Sequence, residues 1–146
     1  MMKNLINAAI CIVVLVGCSP KAPSCSEDSV TQLVMKITTN EIRHQIFQTN
    51  MKLGGMTIVP DYDKLNAAKD DPGNEKIKDI VLVTNQQVAN NKLALSGIKI
   101  KNVNDEIKKC ECEGKITNAH GTSIPITYTA QYTESERIRV EVYGLK

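Results

Sequence analysis

The chain has 146 residues, 18 of them basic and 16 acidic, and a formal net charge of +2. This near balance, with no concentrated basic face, argues against a nucleic-acid partner. With no tryptophan and a single phenylalanine, Phe47, the core relies on Ile, Val and Leu, and aromatic platforms for sugars or stacked bases are disfavoured.

The chain opens with Lys3 and an apolar run, Ile10-Cys11-Ile12-Val13-Val14-Leu15-Val16, that leads into Gly17 and Cys18. A charged start, a short apolar core and a small residue form a secretory signal, too short to persist as a membrane-spanning helix. Leu15-Val16-Gly17-Cys18 resembles the lipobox of small bacterial envelope lipoproteins. The resemblance implies cleavage before Cys18, diacylglycerol in thioether linkage on its sulfur and an acyl chain on its new amine. Several acyl chains, each worth about 0.8 kcal/mol per buried methylene, anchor a protein durably. Ser19 occupies the position where aspartate commonly signals inner-membrane retention in Gram-negative lipoproteins. Its identity implies the outer membrane, facing the periplasm, in such a host.

Removing residues 1–17 as signal peptide takes away one charge, Lys3, and leaves a chain the size of a single domain. Residues 18–25 read as a lipidated tether. Its Cys18–Ser24 stretch, C-S-P-K-A-P-S, is fairly extended and reaches about 20 Å from the lipid. The domain, residues 26–146, is therefore held close to the bilayer surface.

A helix is expected after Ser26, an N-cap residue, with Glu27 and Asp28 placing negative charge in its first turn. Val30, Leu33, Val34, Ile37, Ile42, Ile46 and Phe47 follow a largely helical spacing up to Gly54-Gly55. Thr38-Thr39-Asn40 weakens the middle and admits a kink or break. Asp61 is placed to cap a short helix through Ala68, and Asp70-Asp71-Pro72-Gly73 is a strong turn signal. A further helix is predicted over Glu75 to Asn90, with Ile77, Ile80, Val81 and Val88 on one face.

From Lys92 the period changes to two. Strands are predicted at Leu93–Val103, bulged at Gly97 where the apolar phase shifts, then at Glu106–Thr117, Thr122–Tyr132 and Arg137–Tyr143. In the third, Ile124, Ile126, Tyr128, Ala130 and Tyr132 share one face. Pro125 belongs near that strand's start or on an unpaired edge, since it has no N–H to give a ladder. The fold class is α+β: N-terminal helices packed on a four-stranded antiparallel β-meander. This outline is similar to cystatin-like and NTF2-like folds, a likeness that carries no activity.

Three cysteines remain after Cys11 leaves with the signal and Cys18 takes lipid: Cys25, Cys110 and Cys112. Cys110 and Cys112 stand two apart on one strand face, so a bond between them is strained. Cys25 is expected to pair with one of them. Spacing does not decide between the two, and Cys110 is marginally preferred. Such a bridge staples the first helix to the second strand, and its long loop gives about 4–5 kcal/mol in the chain-entropy model. A zinc site made of Cys110, Cys112 and His120 is the rival reading. It lacks a fourth ligand and matches no common finger spacing.

His44 and His120 are the only histidines, and both read as surface residues. No G-x-S-x-G, H-E-x-x-H, Walker loop or G-x-G-x-x-G occurs. Asp61, Asp63, Asp70 and Asp71 lack the glycine and distal glutamate of an EF-hand loop and read as capping and solvated groups. Glu111 and Glu113, with Lys109 and Lys115, read as charge pairs on the outer strand face. No catalytic set, cofactor or metal is expected. The sequence points to a non-enzymatic, membrane-anchored lipoprotein that binds another envelope protein as an accessory, inhibitor, immunity or exclusion factor. The alternative is a small-ligand domain with a helix–sheet pocket lined by Tyr128, Tyr132 and aliphatic residues.

Overall fold

The computed structural model describes residues 21–57, 59–67 and 75–145. The signal segment, Cys18 and the Asp70–Gly73 turn lie outside the described residues. Helix α1 runs from Asp28 to Leu53 without interruption, through the threonines where a break was admitted. Thr38 is tolerated there because its methyl group packs into the interior along with Val30, Val34, Phe47 and Met51. Its N-cap is Glu27, in extended backbone, and not Ser26. Ser26 sits in the preceding turn, beside the disulfide-bonded Cys25. At the other end, Met56 N–H bonds the Met51 carbonyl at 3.0 Å and Gly55 N–H bonds that of Lys52 at 2.9 Å. This closing turn needs a residue at positive φ, and Gly55 supplies it at +79°.

Helix α2 (Tyr62–Ala67) is capped by Asp61 as expected: its carboxylate accepts the N–H groups of Asp63 at 2.9 Å and Lys64 at 3.3 Å. Helix α3 (Glu75–Asn91) returns antiparallel along the second half of α1, with Asn50 beside Thr84 and Gly54 beside Ile80.

The sheet comprises β1 (Ala94–Asn104), β2 (Lys109–Thr117), β3 (Ser123–Tyr132) and β4 (Ile138–Tyr143), antiparallel and ordered β1-β2-β3-β4. Gly97, at φ +61°, forms the expected bulge in β1, and the register slips again between Ile100 and Asn102. Strand β2 begins three residues later than its pattern suggested. Residues 105–108 turn instead, because the Asn104 side chain accepts the N–H groups of Glu106 and Ile107 and Lys108 takes φ +51°. Pro125 lies near the start of β3, beyond its pairing with β4.

Two rows of residues cross the sheet on the side that faces α1. One is Ile100, Cys112, Tyr128 and Val142; the other is Val103, Cys110, Ala130 and Val140. The first core joins this face of β2 and β3 to Cys25, Val30 and Val34. A second core, Phe47, Met51, Tyr62 and Val81, ties α1 to α2 and α3. Its Phe47 and Tyr62 rings meet edge to face, with centroids 5.2 Å apart.

The molecule is polar in layout. Helix α1 starts above the middle of β2, passes the end of β4 where Gln45 Nε2 donates to the Leu145 carbonyl, and continues beyond the sheet. The β1–β2 and β3–β4 turns lie at one end, and the α1–α2–α3 unit at the other.

Candidate functional site

The sequence-derived site residues converge where the chain enters the domain. Ala22 N–H donates to the Asp105 carboxylate at 3.0 Å, across 83 residues of sequence, and Pro23 is buried. The segment read as an extended tether is thus docked on the sheet from Ala22 onward. Cys25 then reaches the centre of β2.

The disulfide joins Cys25 to Cys112, with Cα atoms 5.9 Å apart, and corrects the marginal preference for Cys110. The physical reason lies one strand away. Tyr128 stands opposite Cys112 in the β2–β3 register, and its hydroxyl donates to the Cys25 carbonyl at 2.9 Å. That bond holds Cys25 over the Cys112 row. Cys110 lies one row nearer the β1–β2 turn.

Cys110 is buried and is the one free cysteine among the described residues. Its sulfur lies 3.6 Å from that of Cys112, and all three sulfurs fall within 4.8 Å of one another. Burial pushes the Cys110 thiol above its ordinary range. Tyr128 is pushed up to about 12, by loss of hydration first and by its proximity to Cys110 second. His120 does not join this cluster. It sits exposed in the β2–β3 turn, where the local bonds belong to Asn118.

The pocket expected at Tyr128 and Tyr132 is filled. Tyr128 is packed against the disulfide region, and Tyr132 lies by Glu27, with its hydroxyl raised by partial dehydration and then by the Glu27 charge. An open groove occurs farther along, between α1 and the end of β4. It has a volume of about 780 Å³ and is lined by Ile37, His44, Val142, Tyr143 and Leu145, among others.

Beside this groove is a cluster that the sequence reading did not assemble. His44 Nε2 lies 3.6 Å from the Asp63 carboxylate, the His44 and Tyr62 rings are 5.7 Å apart, and the Arg43 guanidinium stands 5.8 Å from the Tyr62 ring centre. Tyr62 donates to Asn85 at 2.7 Å. The D-Y-D sequence was the available signal, but it read as capping, which Asp61 indeed performs. On the outer sheet face, Glu113 pairs with Lys99 at 3.9 Å and Lys101 at 3.6 Å, and Glu111 with Lys109 at 3.8 Å. These exposed pairs contribute little stability.

Large apolar side chains are exposed at both ends. At the helical end, Leu53 is 81% exposed and Leu82 57%. At the other, Ile100 is 60%, Val103 49% and Ile107 52% exposed. Among the described residues no helix is long and apolar enough to cross a membrane. Comparison with protein-family models, curated proteins and solved structures finds no match to this chain.

Proposed function

We propose that the protein is a lipid-anchored envelope lipoprotein whose small, non-enzymatic domain binds another envelope protein. The anchor is the lipobox cysteine, Cys18, and the placement is the outer membrane, facing the periplasm, in a Gram-negative host. The observation that best supports the binding role is the layout of the domain. The chain from Cys18 enters at the Asp105 end, while α1, 26 residues and about 39 Å long, carries Leu53 to the far end of the molecule. Leu53 and Leu82 stand exposed there, uncovered by the described residues. Anchoring raises the effective concentration of such a surface for any partner in the same membrane, so a modest contact suffices.

The test is crosslinking in living cells from photoreactive residues at positions 53 and 82. A discrete envelope protein trapped by the lipidated chain, and lost with Cys18→Ala, is the expected result. Equal background from both forms would overturn the reading. The groove between α1 and β4 favours a second reading, a small apolar ligand held near Val142 and Leu145. Leu145→Arg abolishing the binding of an extracted ligand, with the crosslink at 82 unchanged, would select it.

A further inference from the structure

We infer that the β1 edge of the domain lies against the bilayer, with Ile100, Val103 and Ile107 dipping into its interface. This inference rests on the lipid anchoring of Cys18 and specifies how the anchored domain sits. Ile100 and Val103 share rows with Cys112 and Cys110, so they belong to the sheet face that α1 should cover. They remain exposed because α1 lies toward β4, where Gln45 donates to the Leu145 carbonyl. A half-covered apolar face in a secreted domain needs an occupant.

The course of the chain identifies that occupant. Ala22 is fixed to Asp105 in the turn that carries Ile107, and the segment from there to Cys25 passes the Val103–Cys110 row to reach Cys112. Only Ser19, Pro20 and Lys21 lie between Cys18 and Ala22, and the four steps reach about 14 Å. Lipid on Cys18 therefore enters the membrane within that reach of Ala22, which Asp105 holds at the turn that carries Ile107. The charges in the segments that carry the stripe nearly cancel: Lys21, Lys99, Lys101 and Lys108 accompany Asp105 and Glu106, and Lys99 and Lys101 are already paired with Glu113. The contact is accordingly apolar and does not require anionic lipid. Lys99 and Lys101 also discourage the open β1 edge from pairing with another strand.

The absence of tryptophan makes the test direct. The full lipidated chain is purified from membranes as single variants Val103→Trp, Ile107→Trp and Leu82→Trp, each checked for the Cys25–Cys112 bridge. They are reconstituted in phosphatidylcholine vesicles brominated near the head-group end of the acyl chains. The expected result is quenching of tryptophan at 103 and 107 at least about twofold stronger than at 82, unchanged by high salt, as for a side chain in the interfacial zone. Flotation with the vesicles, present in the wild type and lost in Cys18→Ala, monitors the anchor separately. Flotation without preferential quenching overturns the edge contact alone. Wild-type protein that fails to float overturns both the anchor and the contact. Quenching at 103 that is relieved by dilution of protein within the membrane means a second copy covers the edge, and also overturns the inference.

Discussion

Tyr128 donates its hydroxyl proton to the carbonyl of Cys25 at 2.9 Å, from the position on β3 that pairs with Cys112. One phenol thus braces the Cys25 backbone over the Cys112 row and fills space between the entering chain and the sheet. Tyr128→Phe leaves a buried carbonyl without its donor. The expected cost at neutral pH is about 1–2 kcal/mol, read from urea unfolding, with the Cys25–Cys112 bridge retained in non-reducing peptide maps.

The same pair predicts how the domain responds to alkali. Folding favours the neutral forms of Tyr128 and Cys110, whose pKa values are both raised by burial. For raised values, the stabilisation is complete below the unfolded-state pKa and is lost as pH rises through the folded one. Tyr128 moves from 10.0 to about 12, so its share, on the order of 2–3 kcal/mol, disappears across that interval. The thiol begins to contribute to the loss from its ordinary value of 9.0 upward. Unfolding free energies measured between pH 8 and the alkaline transition, for Cys110→Ala with and without Tyr128→Phe, isolate the Tyr128 component as their difference, because Tyr132 and Tyr143, also raised, titrate in both. A Tyr128→Phe profile as steep as that of the parent would contradict the assignment.

The three sulfurs predict an unequal response to cysteine replacement. Cys25→Ala leaves Cys110 and Cys112 side by side on one strand and removes the staple, at a cost of about 2–5 kcal/mol. Cys112→Ala should cost less, because Cys110 lies close enough to take over the bond to Cys25. Thiol titration after denaturation is decisive: two free thiols are expected in Cys25→Ala and none in oxidised Cys112→Ala. In the wild type, Cys110 should resist alkylation until the domain unfolds, and non-reducing gels should show monomer.

What the sequence revealed, and what it hid, follows the range of the interactions. The alternation through Ile124, Ile126, Tyr128 and Ala130, the cap at Asp61 and the bulge at Gly97 are local, and each stands where its pattern placed it. The choice between Cys110 and Cys112 was hidden, since residues two apart on a strand present the same face and only Tyr128, on another strand, separates them. The contact of Ala22 with Asp105 and the cluster of His44, Tyr62 and Asp63 were hidden for the same reason. The start of β2 was missed because the Asn104 side chain competes locally with the strand ladder.

Two buried threonines, alike in sequence, predict opposite outcomes. Thr38 and Thr84 are both fully buried in helices. Thr84 Oγ1 accepts from Asn50 Nδ2 at 3.0 Å, whereas Thr38 Oγ1 has no hydrogen-bond partner. Valine has nearly the same shape and comparable helix propensity, so Thr→Val isolates the hydroxyl. Thr38→Val removes an uncompensated polar group and should stabilise the domain by about 1–2 kcal/mol. Thr84→Val strips Asn50 of a partner and should destabilise it by about 1 kcal/mol, softened because Asn50 keeps its bond to Gln87 at 2.9 Å. Urea midpoints at constant m-value read both effects. The same sign for both would mean that shape alone governs these sites. Opposite signs would tie the continuity of α1 across Thr38 to packing gained at the expense of a hydroxyl, which is why a helix runs where the Thr-Thr-Asn triplet argued for a break.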